Sequence, residues 1–389
     1  LMVFGMTSGA SVLTAQYWGK KDLKTIEKVF SMTLCFVLTA GVLFFLASEL
    51  FPEQIMHIFS SEQEVIKGGA SYLRIVAFSY PLSAFCTGYL YLMRSIERAK
   101  IGTAVFACSL VANVIMNAVF IFGLLGAPAM GVRGAALATF LSRCLEFVIV
   151  VFYMWKINRQ VRIRRGYFFH WDRLLLKDFL VLSIPVVLNE TLWGAGMSAN
   201  AAILGQLGSP AAAANSVVRV IRELVMVMSI GLSAATSVLV GKAIGEKKLD
   251  MAKTYARRMV LLSIVMTSCA SAAMFSLRHV ITDALTLGPT AKEYLLFMLA
   301  VLAVYNLCQS VTCPVIVGVL RAGGDTRFGL ILEGSALWVG SILMGWIGAF
   351  ILHLPVRTVF ALLMLDEFIK LPFAAWRYRS KVWLKDVTR

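Results

Sequence analysis

Long apolar blocks separated by short basic segments dominate the sequence. Each block is about 20 to 30 residues long, which is enough for a helix to cross the ~30 Å hydrocarbon core of a bilayer. Because the backbone in lipid must satisfy its own hydrogen bonds, such blocks are predicted to be helices. Eleven spans are predicted, at residues 2–19, 29–51, 70–94, 101–125, 131–155, 176–206, 212–242, 255–277, 291–320, 328–352 and 355–377.

The charged residues predict the orientation of these spans. Every second connection is rich in Lys and Arg, beginning with Lys20, Lys21, Lys24 and Lys28 and ending with the tail that closes at Arg389. The positive-inside rule places these connections in the cytoplasm. We therefore expect a multi-pass protein of the cell (plasma) membrane with a cytoplasmic C-terminus. Residue 1 would then lie outside, directly before a span, so a further N-terminal helix is expected in the full protein, making twelve spans.

Composition favours a membrane protein over a soluble one. Hydrophobic residues make up 59% of the 389-residue chain and charged residues 15%, against about 25% charged in soluble domains. The net charge is +16, and the basic residues that produce it lie between the apolar blocks. We interpret them as residues that set the orientation of the spans, and we expect a lipid bilayer, not nucleic acid, as partner. The seven cysteines and four histidines form no ligand cluster, and no metal site is predicted from them.

An internal repeat organises the chain. Residues 5–23 and 231–249 match at an offset of 226 residues, and Met93-Arg94 matches Leu320-Arg321 at almost the same offset. Six spans in the second copy and five in the first predict a parallel repeat about an axis along the membrane normal. The predicted domains are an N-terminal helical bundle at 1–155, a cytoplasmic basic linker at 156–175 and a C-terminal helical bundle at 176–389. The identical pairs in the first match are Gly5/Gly231, Ser11/Ser237, Val12/Val238, Leu13/Leu239, Gly19/Gly245, Lys21/Lys247 and Leu23/Leu249.

Several stretches carry a resemblance to a known family. They are 5–23 and 231–249, Asn113–Asn117 with Gly123 and Met130–Thr139, Ser183–Pro185 with Leu188–Thr191 and Ile203–Gly208, and the turn Leu320–Thr326. In order and spacing they resemble the multidrug and toxic compound extrusion (MATE) family of cation-coupled exporters. The resemblance implies an all-α polytopic membrane protein of two pseudo-symmetric six-helix bundles, the first lacking its first helix. It also implies alternating access.

Three polar residues form the first candidate site. Asn113 and Asn117 share one helix face because they are four residues apart, and Thr139 lies on the next span. Their oxygens suit a hard cation such as Na⁺, and the resemblance points to the same positions. Interhelical hydrogen bonding is the alternative. Many family members have Asp at the position of Asn117, so the site here lacks one negative charge.

Glu190 is the second candidate. It lies inside an apolar span with no Lys or Arg within a helical turn. Burial disfavours a charged carboxylate, so we expect Glu190 to exchange a proton or hold a cation; a structural hydrogen-bonded acid is the alternative. The resemblance implies cation coupling or substrate binding here. The partner acid expected from the family is not evident, and Asn306 and Gln309 stand in that region as substrate-cavity candidates.

Two further charged groups lie within spans. Arg219, Arg222 and Glu223 occupy one helix; they either line the mouth of the cavity or pair with each other, and we favour pairing. Asp366, Glu367 and Lys370 in the last span have the spacing of an intrahelical ion pair.

No nucleotide-binding loop or catalytic motif is present, so we expect no enzyme and no cofactor. The favoured function is secondary antiport, driven by Na⁺ or H⁺, that exports organic cations, drugs or toxic metabolites, from a monomer. A lipid-linked precursor flippase of the same superfamily and a non-transporting membrane scaffold are the alternatives. A flippase is expected to place several deep basic residues around its cavity, and few are evident in the sequence.

Overall fold

The computed structural model describes residues 1–58, 62–126, 128–168 and 171–388. Within these ranges the regular structure is helical and contains no strand, as the all-α prediction requires. The α-helices are α1 (Met2–Gly19), α2 (Leu23–Leu50), α3 (Pro52–His57), α4 (Gln63–Ala77), α5 (Ser79–Ser95), α6 (Ala99–Phe122), α7 (Val132–Phe152), α8 (Arg173–Gln206), α9 (Ser209–Gly245), α10 (Leu249–Asp283), α11 (Pro289–Cys313), α12 (Thr326–Ser335), α13 (Leu343–Trp346), α14 (Val356–Leu363) and α15 (Asp366–Arg379).

Seven helices in the described part of the chain are long and apolar enough to cross a membrane, or eight if one bent pair forms a single span. Each of the eleven predicted spans falls on a helix or on consecutive helical segments. Two spans predicted as continuous are broken. The third consists of α4 and α5, which bend by 50°, and the last consists of α14 and α15.

Wider π-helical turns follow four of the described α-helices. They follow α7, α11, α12 and α13, at Tyr153–Ile157, Pro314–Leu320, Ala336–Ile342 and Ile347–Ile351. Pro314 starts one of them and Pro185 lies inside α8. Because proline removes a helix hydrogen bond, the helix is free to widen at Pro314.

The chain divides into two compact units. We call residues 2–14 and 21–183 the N-terminal unit, and residue 1 with 15–20 and 184–389 the C-terminal unit. These units have other boundaries than the predicted domains. Residue 1 and the last residues of α1 are grouped with the C-terminal unit, and the predicted linker and residues 176–183 are grouped with the N-terminal unit.

Specific contacts explain why the predicted linker 156–175 belongs to the N-terminal unit. Asn158 donates to the Tyr89 hydroxyl at 2.8 Å, and Arg164 contacts the Glu27 carboxylate at 2.9 Å. Glu27 also accepts from the backbone N–H of Arg162 at 3.0 Å. Residues 169–170, which include His170, and Arg389 lie outside the described residues.

The turns that close the repeated segments share one backbone geometry. Lys21 and Lys247 are repeat-related and have φ values of 61° and 59°. Glu97 and Gly324, related by the second match, have φ values of 64° and 75°. A positive φ is uncommon for residues other than glycine, so its recurrence at matched positions confirms that the repeat is structural.

Repeat-related glycines allow a close helix approach inside the C-terminal unit. A Cβ on Gly19 would lie 2.3 Å from the Lys242 carbonyl oxygen, and a Cβ on Gly245 would lie 1.9 Å from the Gln16 carbonyl oxygen. Both distances are shorter than any van der Waals contact, and the opposing atoms are backbone. The end of α1 and the end of α9 therefore pack together only because both positions are glycine.

Gln16, in the last part of α1, forms hydrogen bonds with the C-terminal tail. Its side-chain amide donates to the carbonyl oxygens of Ala322 at 2.8 Å and Lys385 at 3.1 Å. Its carbonyl oxygen accepts from the Val387 N–H at 2.9 Å. Lys20 adds an ion pair to Asp386 at 3.2 Å. Burial opposes ionisation of Asp386, but hydrogen bonds from Thr388 and Lys20 outweigh it and lower the pKa of this carboxyl. The Lys20–Asp386 ion pair is therefore formed at neutral pH.

Replacing Gln16 with leucine is expected to destabilise the protein by about 2–3 kcal/mol, because it leaves buried backbone groups without partners. Thermal unfolding of the purified protein in detergent measures this loss, and limited proteolysis should show faster cleavage of the tail. Gln206→Leu at the exposed end of α8 is the matched control and should change neither. An unchanged unfolding temperature for Gln16→Leu would contradict the assignment.

Candidate functional site

The predicted site in the N-terminal unit is a chain of hydrogen bonds between α6 and α7. Asn117 donates to the carbonyl oxygen of Asn113 at 3.0 Å, and Asn113 donates to the Ser142 hydroxyl at 3.2 Å. The Thr139 hydroxyl donates to the Ala135 carbonyl in its own helix at 2.9 Å. The structure thus joins Asn113 and Asn117 directly and brings α7 against them through Ser142.

These contacts show which oxygens of the three residues already accept a hydrogen bond. The Asn113 carbonyl already accepts a hydrogen bond, while the Asn117 carbonyl and the Thr139 hydroxyl oxygen keep lone pairs for a further partner. The arrangement is the interhelical hydrogen bonding that the sequence left open as the alternative.

The hydrogen-bond chain continues to a buried charge. Ser109 donates to Glu146 at 3.3 Å, and Arg143 contacts the same carboxylate oxygen at 2.6 Å. The Glu146 side chain is fully buried, and within the described residues its second carboxylate oxygen has no hydrogen-bond partner. An acid in this setting extends the polar path between α6 and α7 beyond the predicted site.

Glu190 in α8 does have a basic partner. The Arg321 guanidinium contacts its carboxylate at 2.8 Å, and the two side chains are 5% and 13% exposed for Arg321 and Glu190. No Lys or Arg lies within a helical turn of Glu190 along α8, and Arg321 reaches it from the turn after the π-helical segment Pro314–Leu320.

The preceding residue, Asn189, contacts another acid. Its side-chain amide donates to the carboxylate of Glu333 in α12. Two consecutive residues of α8 therefore hold two different segments, the turn at Arg321 and the helix at Glu333. The middle of α8 is therefore joined to both of these segments within the C-terminal unit.

Asn306 and Gln309 are buried in α11, but other residues of that helix reach the charged groups. The hydroxyl of Tyr305 lies 3.4 Å from Asp366, and Thr312 donates to Glu367. Among the described residues, neither amide atom of Asn306 has a hydrogen-bond partner.

The acids and bases of the last span form a buried group that we call the Lys370 cluster, defined as Lys370, Asp366, Glu367, Tyr305 and Thr312. The Lys370 ammonium contacts Glu367 at 2.6 Å and Asp366 at 2.8 Å. The predicted intrahelical ion pairing is confirmed. Both carboxylates share one ammonium, so these three side chains carry one net negative charge.

Arg222 extends this cluster and corrects one prediction. It donates to the Tyr305 hydroxyl at 2.7 Å, and its guanidinium lies 4.7 Å from the centre of the same ring. It does not pair with Glu223, because consecutive residues of a helix point in different directions. Glu223 contacts Arg219 instead, at 3.9 Å, on an exposed face.

Comparison with known proteins decides the family. The sequence profile of the MatE family matches residues 1–119 and 185–347. The chain belongs to the MatE family. MatE proteins are membrane transporters and not enzymes, and the chain is a multi-pass membrane protein.

Relatives and solved structures agree with this assignment of the MatE chain. A probable multidrug resistance protein YoeA of Bacillus subtilis (strain 168) is 25% identical over 340 residues, covering 86% of this chain and 72% of that protein. A probable multidrug resistance protein NorM of Xylella fastidiosa (strain 9a5c) is 23% identical, covering 97% and 81%. A crystal structure of MATE in the bent conformation superposes with a TM-score of 0.87 at 19% identity, covering 98% and 83%. At that identity the structure shows the fold.

Sequence reasoning missed three contacts of the MatE chain: Glu190–Arg321, Asn189–Glu333 and Arg222–Tyr305. Each joins residues more than 80 positions apart, and no spacing rule reports such a distance. The available signal was charge: Glu190, Arg222 and Glu333 lie within apolar spans, where ionisable residues are costly and need partners.

Proposed function

We propose that this MatE chain is a secondary active transporter that exports organic cations or drugs in exchange for Na⁺ or H⁺. The supporting observation is the set of buried charges in the C-terminal unit, above all Glu190 against Arg321. Burying an ionised side chain inside a membrane protein costs free energy, and such side chains mark transport pathways and proton relays. The multidrug resistance names of the relatives agree with an organic-cation or drug substrate.

Glu190 is the proposed coupling residue of the C-terminal unit. When Glu190 is ionised, it holds Arg321 and thereby ties α8 to the turn after α11. Protonation of Glu190, or a competing cation, removes this attraction. Binding of the coupling ion thereby changes the balance between two arrangements, which is the requirement for alternating access.

Asn113, Asn117 and Thr139 are the proposed Na⁺ ligands of the N-terminal unit, and Glu190, Asn306 and Gln309 are the proposed cavity residues. The transporter is proposed to act as a monomer in the plasma membrane with its C-terminus in the cytoplasm. The flippase alternative is less favoured, because the buried bases Arg321 and Lys370 each contact a carboxylate and buried Arg222 is held by the Tyr305 hydroxyl, which leaves few bases to hold a pyrophosphate.

Dye accumulation in cells tests the proposal. Cells that lack their own efflux pumps and produce the native chain should accumulate less ethidium than cells producing Glu190→Gln at equal membrane abundance. Glu223→Gln, on an exposed face of α9, is the matched control and should resemble the native chain. Equal dye levels with the native chain and an empty vector, across a panel of cationic dyes, would overturn organic-cation export.

Restoring the charge that this chain lacks should strengthen the N-terminal site. Asn117→Asp adds a carboxylate beside Asn113 and Thr139, and a hard cation prefers such a ligand. The Na⁺ concentration for half-maximal efflux is expected to fall several-fold. Asn215→Asp in α9 is the control and should leave it unchanged, while an unchanged Na⁺ dependence of Asn117→Asp would contradict the site.

A further inference from the structure

One face of α10 meets lipid and ends in two arginines. The helix is among those long and apolar enough to cross a membrane, and Leu261, Leu262 and Val265 are exposed on it. Exposed apolar side chains on a membrane-crossing helix indicate contact with lipid. Arg257 and Arg258 are exposed as well, and they share this face because residues three or four positions apart are neighbours on a helix surface. Both guanidiniums therefore border the lipid.

The sequence of α10 places these arginines at the level of the lipid headgroups. Residues 259–277 contain no charged side chain, and at ~1.5 Å per residue this run is about 28 Å long. It therefore matches a hydrocarbon core of ~30 Å. When the run fills the core, Arg257 and Arg258 lie at one boundary and Arg278 at the other. The orientation predicted from the charges assigns the Arg257 side to the cytoplasmic leaflet.

The two arginines differ from a neighbouring base because they lack an acidic partner. Lys253, one turn nearer the start of α10, contacts Asp250 at 2.8 Å. Within the described ranges of the chain, no ion pair joins Arg257 or Arg258 to a carboxylate. Their positive charge is therefore available to an anion in the headgroup layer.

The end of α15 lies beside these arginines. Arg257 is within electrostatic range of the Tyr378 side chain, and Lys381 is within the same range of Asp250 at the start of α10. Buried alanines of both helices belong to one apolar cluster, which holds the helices against each other. Tyr378 thus adds a hydroxyl donor next to Arg257, and Lys381 adds a cation nearer the cytoplasm.

Exposed aromatic side chains mark the same level on α15. Trp376 and Phe373 are both exposed, and Trp376 precedes Tyr378 by two residues. Tryptophan is enriched where a membrane protein crosses the boundary between hydrocarbon and headgroups. The aromatic residues of α15 and the length of the uncharged run in α10 therefore indicate the same depth independently.

We propose that Arg257, Arg258 and Tyr378 form a binding site for the phosphate of an anionic phospholipid. A guanidinium is planar and presents several N–H donors in a geometry that matches phosphate oxygens. An anionic headgroup fits better than a zwitterionic one, because the ammonium of a zwitterionic lipid would approach the two arginines and Lys381. The site requires no antiport activity, so it stands or falls separately from the proposed function.

Lipid retention by the purified chain tests the site. In mixed micelles with equal amounts of phosphatidylglycerol and phosphatidylcholine, native mass spectrometry should show that the native chain retains phosphatidylglycerol preferentially. The double variant Arg257→Gln with Arg258→Gln should lower the apparent affinity for phosphatidylglycerol roughly tenfold or more, because each basic side chain at this level attracts an anionic lipid. Lys247→Gln with Lys248→Gln removes the same charge from the preceding turn and should keep the native affinity.

Three results would overturn the site. Equal losses in the two double variants would show an attraction spread over the whole basic surface. Equal retention of phosphatidylcholine by the native chain would show an apolar contact without phosphate recognition. Displacement of phosphatidylglycerol by an equal concentration of soluble glycerol phosphate would identify a soluble phosphate ester, and not a lipid, as the occupant.

Thermal unfolding in detergent provides a second readout. Arg257 and Arg258 are exposed, so the double arginine variant should unfold at the native temperature when no anionic lipid is present. Added phosphatidylglycerol should raise the unfolding temperature of the native chain by several degrees, because a ligand that binds the folded state stabilises it. The same rise in the double arginine variant would contradict the site.

Discussion

Replacing Arg321 with glutamine is expected to abolish ethidium export and to lower the stability of the C-terminal unit. The change leaves the Glu190 carboxylate buried without its cation, and breaking a buried ion pair in this way costs about 3–5 kcal/mol. Glu190 also loses the contact that holds α8 to the turn after α11, so the proposed coupling at this residue is lost. Efflux assays and thermal unfolding in detergent measure the two losses.

The double variant Glu190→Gln with Arg321→Gln separates structure from function. Two neutral side chains can hydrogen-bond to each other, so the double variant is expected to recover most of the unfolding temperature lost by Arg321→Gln alone. Transport is expected to stay absent, since no charge remains to respond to the coupling ion. Recovery of both stability and export in the double variant would show that the pair is only structural.

Replacing Gly245 with alanine is expected to disrupt the packing of α9 against the end of α1. The added Cβ would lie 1.9 Å from the Gln16 carbonyl oxygen, and a backbone atom cannot move aside as a flexible side chain can. We expect a loss of about 3 kcal/mol or more, together with release of the C-terminal tail that Gln16 holds. Gly19→Ala should behave in the same way, because its Cβ would meet the Lys242 carbonyl oxygen at 2.3 Å.

Gly231 is the matched control for this prediction. It is a glycine of the same helix and belongs to the same repeat, but a Cβ there meets nothing within 4 Å. Gly231→Ala is therefore expected to leave the unfolding temperature unchanged or slightly raised. Equal behaviour of Gly231→Ala and Gly245→Ala would contradict the close approach of the two helices.

The sequence predicts the helices and the repeat because both depend on local composition. Apolar blocks mark the spans, and matched residues such as Gly19 and Gly245 mark the repeat; the structure adds that these two glycines lie at the contact. The breaks at Phe78 and between α14 and α15 escape prediction because the apolar blocks continue through them. At Phe78 the break lies next to Ala77, whose carbonyl would accept the helix hydrogen bond of Pro81, and a proline cannot make that bond; the hydropathy pattern does not record it.

The candidate site is predicted less completely than the fold. Asn113 and Asn117 meet because four residues separate them, as spacing predicts, and Lys370 meets Asp366 for the same reason. The partner of Glu190 is 131 residues away in the chain. Only tertiary folding brings Arg321 there, so reasoning along one helix described Glu190 as lacking a nearby cation.

The coupling of export to an ion gradient is the central claim, and transport by the purified chain in proteoliposomes tests it most directly. Vesicles carrying an imposed Na⁺ or H⁺ gradient should move ethidium against its own concentration difference, and an ionophore that collapses the gradient should stop this movement at once. Ethidium movement that is the same with and without a gradient, or that is absent under both gradients, would contradict cation-coupled export.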